Sequence, residues 1–252
     1  FYRYRWAGHA DSVAVEMNNS WWRLGEVGTD AGSEKDTEDW VGVTKVELPV
    51  DPSGEFSGGS SSFTIPSWAP GSSDALARWS VRLTIVRGGR DVDTRGDFTV
   101  LIDSGDRHVT DEPQERTGGH GETDIDILLP SLVFRAGETI NGHIKLTPQK
   151  DMSDCELSIH WWHRCTSHPL VRAPAVGGGS KRSDTFKLGK GIPLRVGTPV
   201  TVPFALPLPA DAPPTGEAVH SSLFWYLEST LMYAKWTQGI EKVARKIVVV
   251  NG

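Results

Sequence analysis

Apolar residues in this chain recur at every second position in short runs, and Pro- and Gly-rich turns interrupt each run. Period two sends alternate side chains to opposite faces of an extended strand, so each run has one face for a core and one for solvent. Ile125, Ile127 and Leu129 form one such set, and Ile140, Ile144 and Leu146 another. Cys155, Leu157, Ile159 and Trp161 follow, then Val200, Val202, Phe204 and Leu206. The longest series is Leu223, Trp225, Leu227, Leu231 and Tyr233, and Val243, Ile247 and Val249 end the chain. Short strands separated by turn residues predict an antiparallel β-sandwich over 123–252. The 27 Gly and 16 Pro agree, since both favour turns over long helices.

The first half repeats the end of this pattern. Ser62-Phe63-Thr64-Ile65-Pro66 matches Pro203-Phe204-Ala205-Leu206-Pro207 at an offset of 141. Trp79, Val81, Leu83 and Ile85 match Trp225, Leu227, Ser229 and Leu231 at 146, and Phe98 and Val100 match Ile247 and Val249 at 149. Offsets drifting slowly in one direction are expected of a duplicated domain whose loops have changed length. The front of the first half aligns in two ways. Val13-Ala14-Val15 through Glu26 fits Ile125-Asp126-Ile127 through Glu138, at the cost of a long deletion before Phe63. Alternatively Phe1 to Trp6 corresponds to the strand around Trp161 and Trp162, which we prefer because it also accounts for a first residue other than Met. Residues 1–102 are then an N-terminal sandwich lacking its opening strands, with an insertion over 7–40. The polar, Gly-containing stretch 103–122 reads as a linker.

The stretch VPFALPLPADAPPTGEAVHSSLFWYLESTLMY, Val202 to Tyr233, resembles the arrestin domain: a Pro-Phe strand, a Pro-rich corner, and a long strand with a central aromatic. Arg135-Ala136-Gly137-Glu138 followed by Ile140-Asn141-Gly142-His143-Ile144 is similar to the turn and second strand of such a domain, and Arg245 to Val250 fits its close. Among arrestin-like proteins the chain most resembles the bacterial sporulation-control type. The likeness covers 123–250, extends less closely over 41–102, and does not reach 7–40. It implies an all-β fold of two tandem immunoglobulin-like antiparallel sandwiches, a role as a protein-binding adaptor, and no catalytic residues. Fold alone does not fix function. The prolines at 203, 207, 209, 213 and 214 also have a plain structural reading, since they cannot donate to a ladder and belong at edges and corners.

Cys155 and Cys165 lie on one predicted strand, about 33 Å apart at a rise of about 3.3 Å per residue. A disulfide needs Cα atoms within about 7 Å, so both should remain thiols, which predicts a reducing, cytoplasmic location. No apolar run reaches the roughly 20 residues that span a bilayer, so any membrane association is peripheral. Net charge is −6, with −9 in residues 1–115 and +3 in 116–252. An acidic chain of this kind argues against nucleic acid as a partner.

Several groups invite a chemical reading. His160, His163, Cys165 and His168 are the densest set of potential ligands, but strand geometry turns His160 away from His163 and Cys165, and no paired C-x₂-C is present. His220, Ser221 and Ser222 beside Glu217 lack a nucleophile elbow. Gly177-Gly178-Gly179-Ser180-Lys181 lacks the spacing and context of a phosphate loop. None of these is assigned a catalytic, cofactor or metal role.

Charge runs carry more. Residues 164–195 hold a net +6 and residues 30–55 a net −6. Lys181, Arg182, Lys187 and Lys190 are the expected partner-binding residues, suited to acidic or phosphorylated protein segments, or to self-association through the acidic run. The expected function is a non-enzymatic adaptor; the alternative is a secreted carbohydrate- or adhesion-binding sandwich, motivated by the ten Trp. Denatured, unreduced protein should show two titratable thiols per chain. A 155–165 bridge in fresh protein would overturn both the strand assignment and the reducing compartment.

Overall fold

The computed structural model describes residues 1–9, 34–48, 59–86, 89–106, 109–167, 180–219, 221–233 and 239–252. Its strands in chain order are β1 (Tyr2–His9), β2 (Glu34–Val41), β3 (Ala77–Ile85), β4 (Val92–Phe98), β5 (Glu115–Gly118), β6 (Thr123–Leu128), β7 (Val133–Arg135) and β8 (Thr139–Pro148). They continue with β9 (Met152–Ser167), β10 (Ser180–Arg182), β11 (Phe186–Leu194), β12 (Val200–Pro207), β13 (Gly216–Glu217), β14 (Ser221–Met232) and β15 (Ile240–Val250). One turn of 3-10 helix spans Ser104–Asp106. No helix among the described residues is long and apolar enough to cross a membrane. The all-β expectation holds, and among the described residues every strand pair is antiparallel except β7 with β15.

The second half is built on its two longest strands. β9 and β14 run antiparallel, with His163 opposite Trp225 and Trp161 opposite Leu227. β15 flanks β14 on the far side, and β5 flanks β15. A three-stranded sheet, β12-β8-β6, supplies the second layer. Alternate residues of both sheets are buried in one cluster, among them Ile127, Ile140, Ile144, Leu157, Trp225 and Leu231. Each large apolar side chain buried in this way stabilises the fold by about 1.5–3 kcal/mol. The Trp161 indole bridges the layers by donating to the Pro207 carbonyl at 3.0 Å.

The described part of the first half is a four-stranded sheet, β2-β1-β3-β4. Its registers reproduce the internal repeat. Trp79 lies opposite Phe98 as Trp225 lies opposite Ile247, and Tyr2 opposite Trp79 as His163 opposite Trp225. β1 thus pairs with β3 at Trp79 as β9 pairs with β14 at Trp225. Finer chemistry repeats too. Trp79 Nε1 donates to the Pro70 carbonyl and Trp225 Nε1 to the Pro213 carbonyl, both at 2.9 Å. The Ser72 amide donates to the Val100 carbonyl at 2.9 Å and the Val100 amide to the Ser72 hydroxyl at 2.8 Å; the Thr215 amide and hydroxyl make the same two bonds with Val249 at 2.8 and 2.9 Å.

Equivalent positions also meet where the halves join. Ile102 and Asn251 are repeat mates, and the Ile102 amide donates to Asn251 Oδ1 at 2.9 Å. Gly71 and Pro214 are mates as well; a Cβ on Gly71 would stand 3.0 Å from Pro214 Cγ and 2.8 Å from Ile102 Cγ1. Two pairs of matched positions are thus in contact where the halves join.

Three expectations change. Residues 62–66 form no strand, because nothing described pairs with them as β8 pairs with β12. The insertion expected over 7–40 narrows, since β1 runs to His9 and pairs with β2 from Glu34; residues 10–33 lie outside the described residues. The stretch 103–122 is not a loose linker along its second part. β5 joins β15, Asp111 pairs with Arg245 and Glu112 with Lys246, each at 2.9 Å.

A buried carboxylate fastens this segment. Glu241 on β15 accepts the amides of His120, Gly121 and Glu122 at 3.0–3.1 Å and the Arg116 guanidinium at 2.7 Å. Gly119 turns the chain at a φ of +94°, and a Cβ there would fall 2.1 Å from Glu241 Oε2. Replacing Glu241 with Gln keeps the shape but removes the charge that three amides and an arginine address, which should cost about 1–3 kcal/mol. Urea denaturation should show that loss, and limited proteolysis should then cut within 103–122. An unchanged midpoint would mean that the clasp contributes little.

Candidate functional site

β9 is paired with β14 on one side, and its other edge is shared by β10 and β11. That arrangement gathers the four basic residues. Lys181 and Arg182 lie opposite His163 and Trp162, while Lys187 and Lys190 lie opposite Ser158 and Glu156. All four are exposed. They are not an unopposed positive cluster. Lys187 Nζ sits 2.9 Å from Glu156 Oε1, and its hydrogen bond and charge hold that carboxyl below the usual carboxylate range. Arg195, from the same run, pairs with Asp151 at 3.5 Å. Arg172 lies outside the described residues, as do Asp30, Asp51 and Glu55 of the acidic run.

β11 is a poor template for further pairing. Three register shifts interrupt its ladder with β9, Gly191 has a φ of +70°, and Pro193 lacks an N–H. Such irregularity protects an edge from strand addition and leaves its exposed side chains as the surface presented.

The other sequence candidates are dispersed. His163 faces the core, 4.5 Å from the Trp225 ring, with its Nδ1 buried and without a hydrogen-bond partner. Burial, and secondarily the charge of Lys181, lowers its pKa to about 4. His160 faces outward, 4.0 Å from Glu228. The Cys165 thiol donates to the Ala75 carbonyl at 3.7 Å, and neither cysteine is in a disulfide. Burial, with the charge of Asp154, pushes the Cys155 thiol up to about 11, which makes it inert. His168, His220 and Gly177 to Gly179 lie outside the described residues. Ser221 is fully buried and Glu217 exposed, so the sheet separates that pair. Among the described residues no three His, Cys, Asp or Glu side chains gather as metal ligands.

The outer face of β9 and β14 carries an aromatic pair, Trp162 stacked on Tyr226 at 4.2 Å, with Lys246 4.4 Å over Phe224.

Sequence reasoning missed one site. Trp79, Val81, Leu83 and Ile85 present the apolar face of β3, and the segments 42–48 and 61–65 skirt it. Between them lies a mainly apolar cleft of about 690 Å³. Val81 is 43% exposed, whereas its repeat mate Leu227 is 0% exposed. Phe63, which packs edge-on against Phe98, is 42% exposed. Nothing in the sequence warned of the cleft, because Ser62 to Pro66 matches the strand that covers the equivalent face in the second half.

No family model matches the chain, and no curated protein matches it. Among solved structures it is similar to Spo0M, a sporulation control protein from Bacillus subtilis, at 18% identity and a TM-score of 0.39 over 52% of this chain and 50% of that one. It is also similar to AvmM, which catalyzes macrocyclization in alchivemycin A biosynthesis, at 13% identity and a TM-score of 0.38 over 53% of this chain and 91% of that one.

The buried His163 makes stability depend on pH. Its pKa is lower folded than unfolded, so between about pH 6.5 and 4 the unfolded chain binds a proton that the folded chain does not, and stability falls as pH falls. The shift corresponds to a loss of up to roughly 3 kcal/mol across that window. His160 is shifted in the same direction by burial, so the comparison of wild type with His163→Leu isolates His163. Urea denaturation from pH 7 to 4 should show the variant losing less stability than wild type. Parallel curves would place His163 in solvent.

Proposed function

We propose that this chain is a non-enzymatic, cytoplasmic regulatory adaptor of the arrestin-like, sporulation-control type. In this reading two immunoglobulin-like sandwiches stand in tandem and bind acidic or phosphorylated segments of partner proteins. The observation that carries it is the shared edge of β9, where β10 and β11 present Lys181, Arg182, Lys187 and Lys190 together and exposed. The repeated Trp–Pro bonds and the registers they accompany support the duplication behind the tandem arrangement. The two thiols favour a reducing compartment. Exposed cations on a rigid sheet attract an anionic segment without surrendering backbone pairs, so binding is electrostatic and salt-sensitive.

The outward Trp162–Tyr226 stack favours a second reading, a carbohydrate-binding module. Each ring already spends one face on the other, which weakens that platform, and the adaptor reading is the one we adopt.

The test is the combined variant Lys181→Ser, Arg182→Ser, Lys187→Ser and Lys190→Ser. Anisotropy of a labelled phosphoserine- and Asp-rich peptide should show binding by wild type that weakens steeply with added salt. Exposed charge contacts are worth about 0–1 kcal/mol each, so the variant should bind about tenfold or more weakly, with unchanged near-UV circular dichroism. Equal binding by both proteins, or none by wild type, would remove the basic edge as the recognition surface.

A further inference from the structure

The segment between the halves is pinned at both ends and held between them by polar bonds alone. At its start the Ile102 amide donates to Asn251 Oδ1 and the Gly252 amide to the Ile102 carbonyl, both at 2.9 Å. At its end Thr123 is fully buried, and its hydroxyl accepts from the Tyr233 hydroxyl at 3.0 Å. No residue of 109–122 is buried, and none belongs to the apolar core.

This segment covers one strand edge in each layer of the second half. β5 lies along the edge of β15 from Lys242 to Ala244. β6 is the last strand of the other sheet, and Gln114 Oε1 accepts its Ile127 amide at 2.7 Å. Arg245, held by Asp111 at 2.9 Å, donates to the Ile127 carbonyl at 2.7 Å. An unpaired sheet edge is a template for pairing with another chain, which gives such a cover a purpose.

Its fastenings are unequal. Exposed ion pairs such as Lys246–Glu112 contribute little. β5 offers three paired positions, interrupted by a register shift after Lys242. The bonds shielded from water converge on Glu241, which is 1% exposed and accepts three successive amides and the Arg116 guanidinium. The three amides share that one carboxylate, and Arg116 belongs to β5, so releasing Glu241 frees the turn and the strand together. β9 and β14, by contrast, bury Leu157, Ile159, Leu227 and Leu231. Elements without buried apolar contacts open at a lower free energy than the core.

We propose that residues 109–122 are a strap that opens and closes as one unit, hinged at Ile102 and Thr123, while both layers of the second half stay folded. Glu241 is its catch. Closed, the strap covers the edges of β15 and β6; open, it uncovers both at once. The junction of the halves is untouched by this motion, because Ile102 keeps its bonds to Asn251 and Gly252. The device is independent of the basic edge of β9, and each stands or falls without the other.

Native-state amide exchange in urea below the unfolding transition reads the opening directly. The amides of His120, Gly121 and Glu122 should be protected, and should exchange together about tenfold or more faster than the central amides of β9 and β14. Ile159→Val, a mild core change, should speed the β9 and β14 amides about threefold or more and leave the three strap amides at their wild-type rates. Glu241→Gln should speed the strap amides about tenfold or more, with near-UV circular dichroism unchanged. Strap and core amides exchanging at one rate, or accelerated equally by Ile159→Val, would make the segment an integral part of the sandwich and overturn the proposal. Unprotected strap amides in the wild type would also overturn it, since the strap would not then be closed. So would wild-type strap rates in Glu241→Gln, which would remove Glu241 as the catch.

Discussion

Each half of this protein is anchored by one indole. Trp79 and Trp225 lie in the middle of a sheet, nearly or wholly buried, and each donates its Nε1 hydrogen to a proline carbonyl from the corner before its own strand. A buried N–H without an acceptor costs about 1–3 kcal/mol, so the indole dictates where that corner must pass. Proline suits the corner because its carbonyl accepts while its nitrogen demands no partner. Two residues on, Ser72 or Thr215 trades hydrogen bonds with Val100 or Val249 and locks the corner to the last strand. The strands around each tryptophan take their registers from this arrangement.

The same corners form the junction. Because Gly71 meets Pro214 and Ile102 meets Asn251, the halves approach through the elements that each indole has already fixed. Asn251 completes the contact by accepting from the Ile102 amide and donating to the Ser72 carbonyl at 3.1 Å. A side chain larger than hydrogen at Gly71 has no room there, so this glycine is required by approach and not by backbone conformation.

Most of the second half was legible in the sequence because its apolar sets alternate strictly. A slip of one residue in β14 would send Leu223, Trp225, Leu227 and Leu231 to solvent, so one register is overwhelmingly favoured. The repeat was legible for the same reason, through Trp79 and Trp225. Other features left no readable trace. Glu241 looks like any surface acid, since its partners are mainly backbone amides that carry no residue signature. The strand expected at 62–66 matched its mate in pattern, but a strand exists only with a partner, and none is described beside it. The basic residues were identifiable as a run, yet the pairing of Lys187 with Glu156, 31 positions earlier, depends on bulges in β11 that composition does not reveal.

The two halves expose different chemistry beside their central strands. Beside β9, the second half ends in a bulged strand with proline and positive-φ glycine, which leaves exposed charged side chains rather than a regular backbone ladder. Charge acts over about 8–10 Å in physiological salt and is largely indifferent to the order of residues in a partner. In the first half Val81 on the apolar face of β3 is 43% exposed, whereas its repeat mate Leu227 is buried. Backbone pairing and apolar burial act at contact, are little affected by salt, and discriminate by alternation.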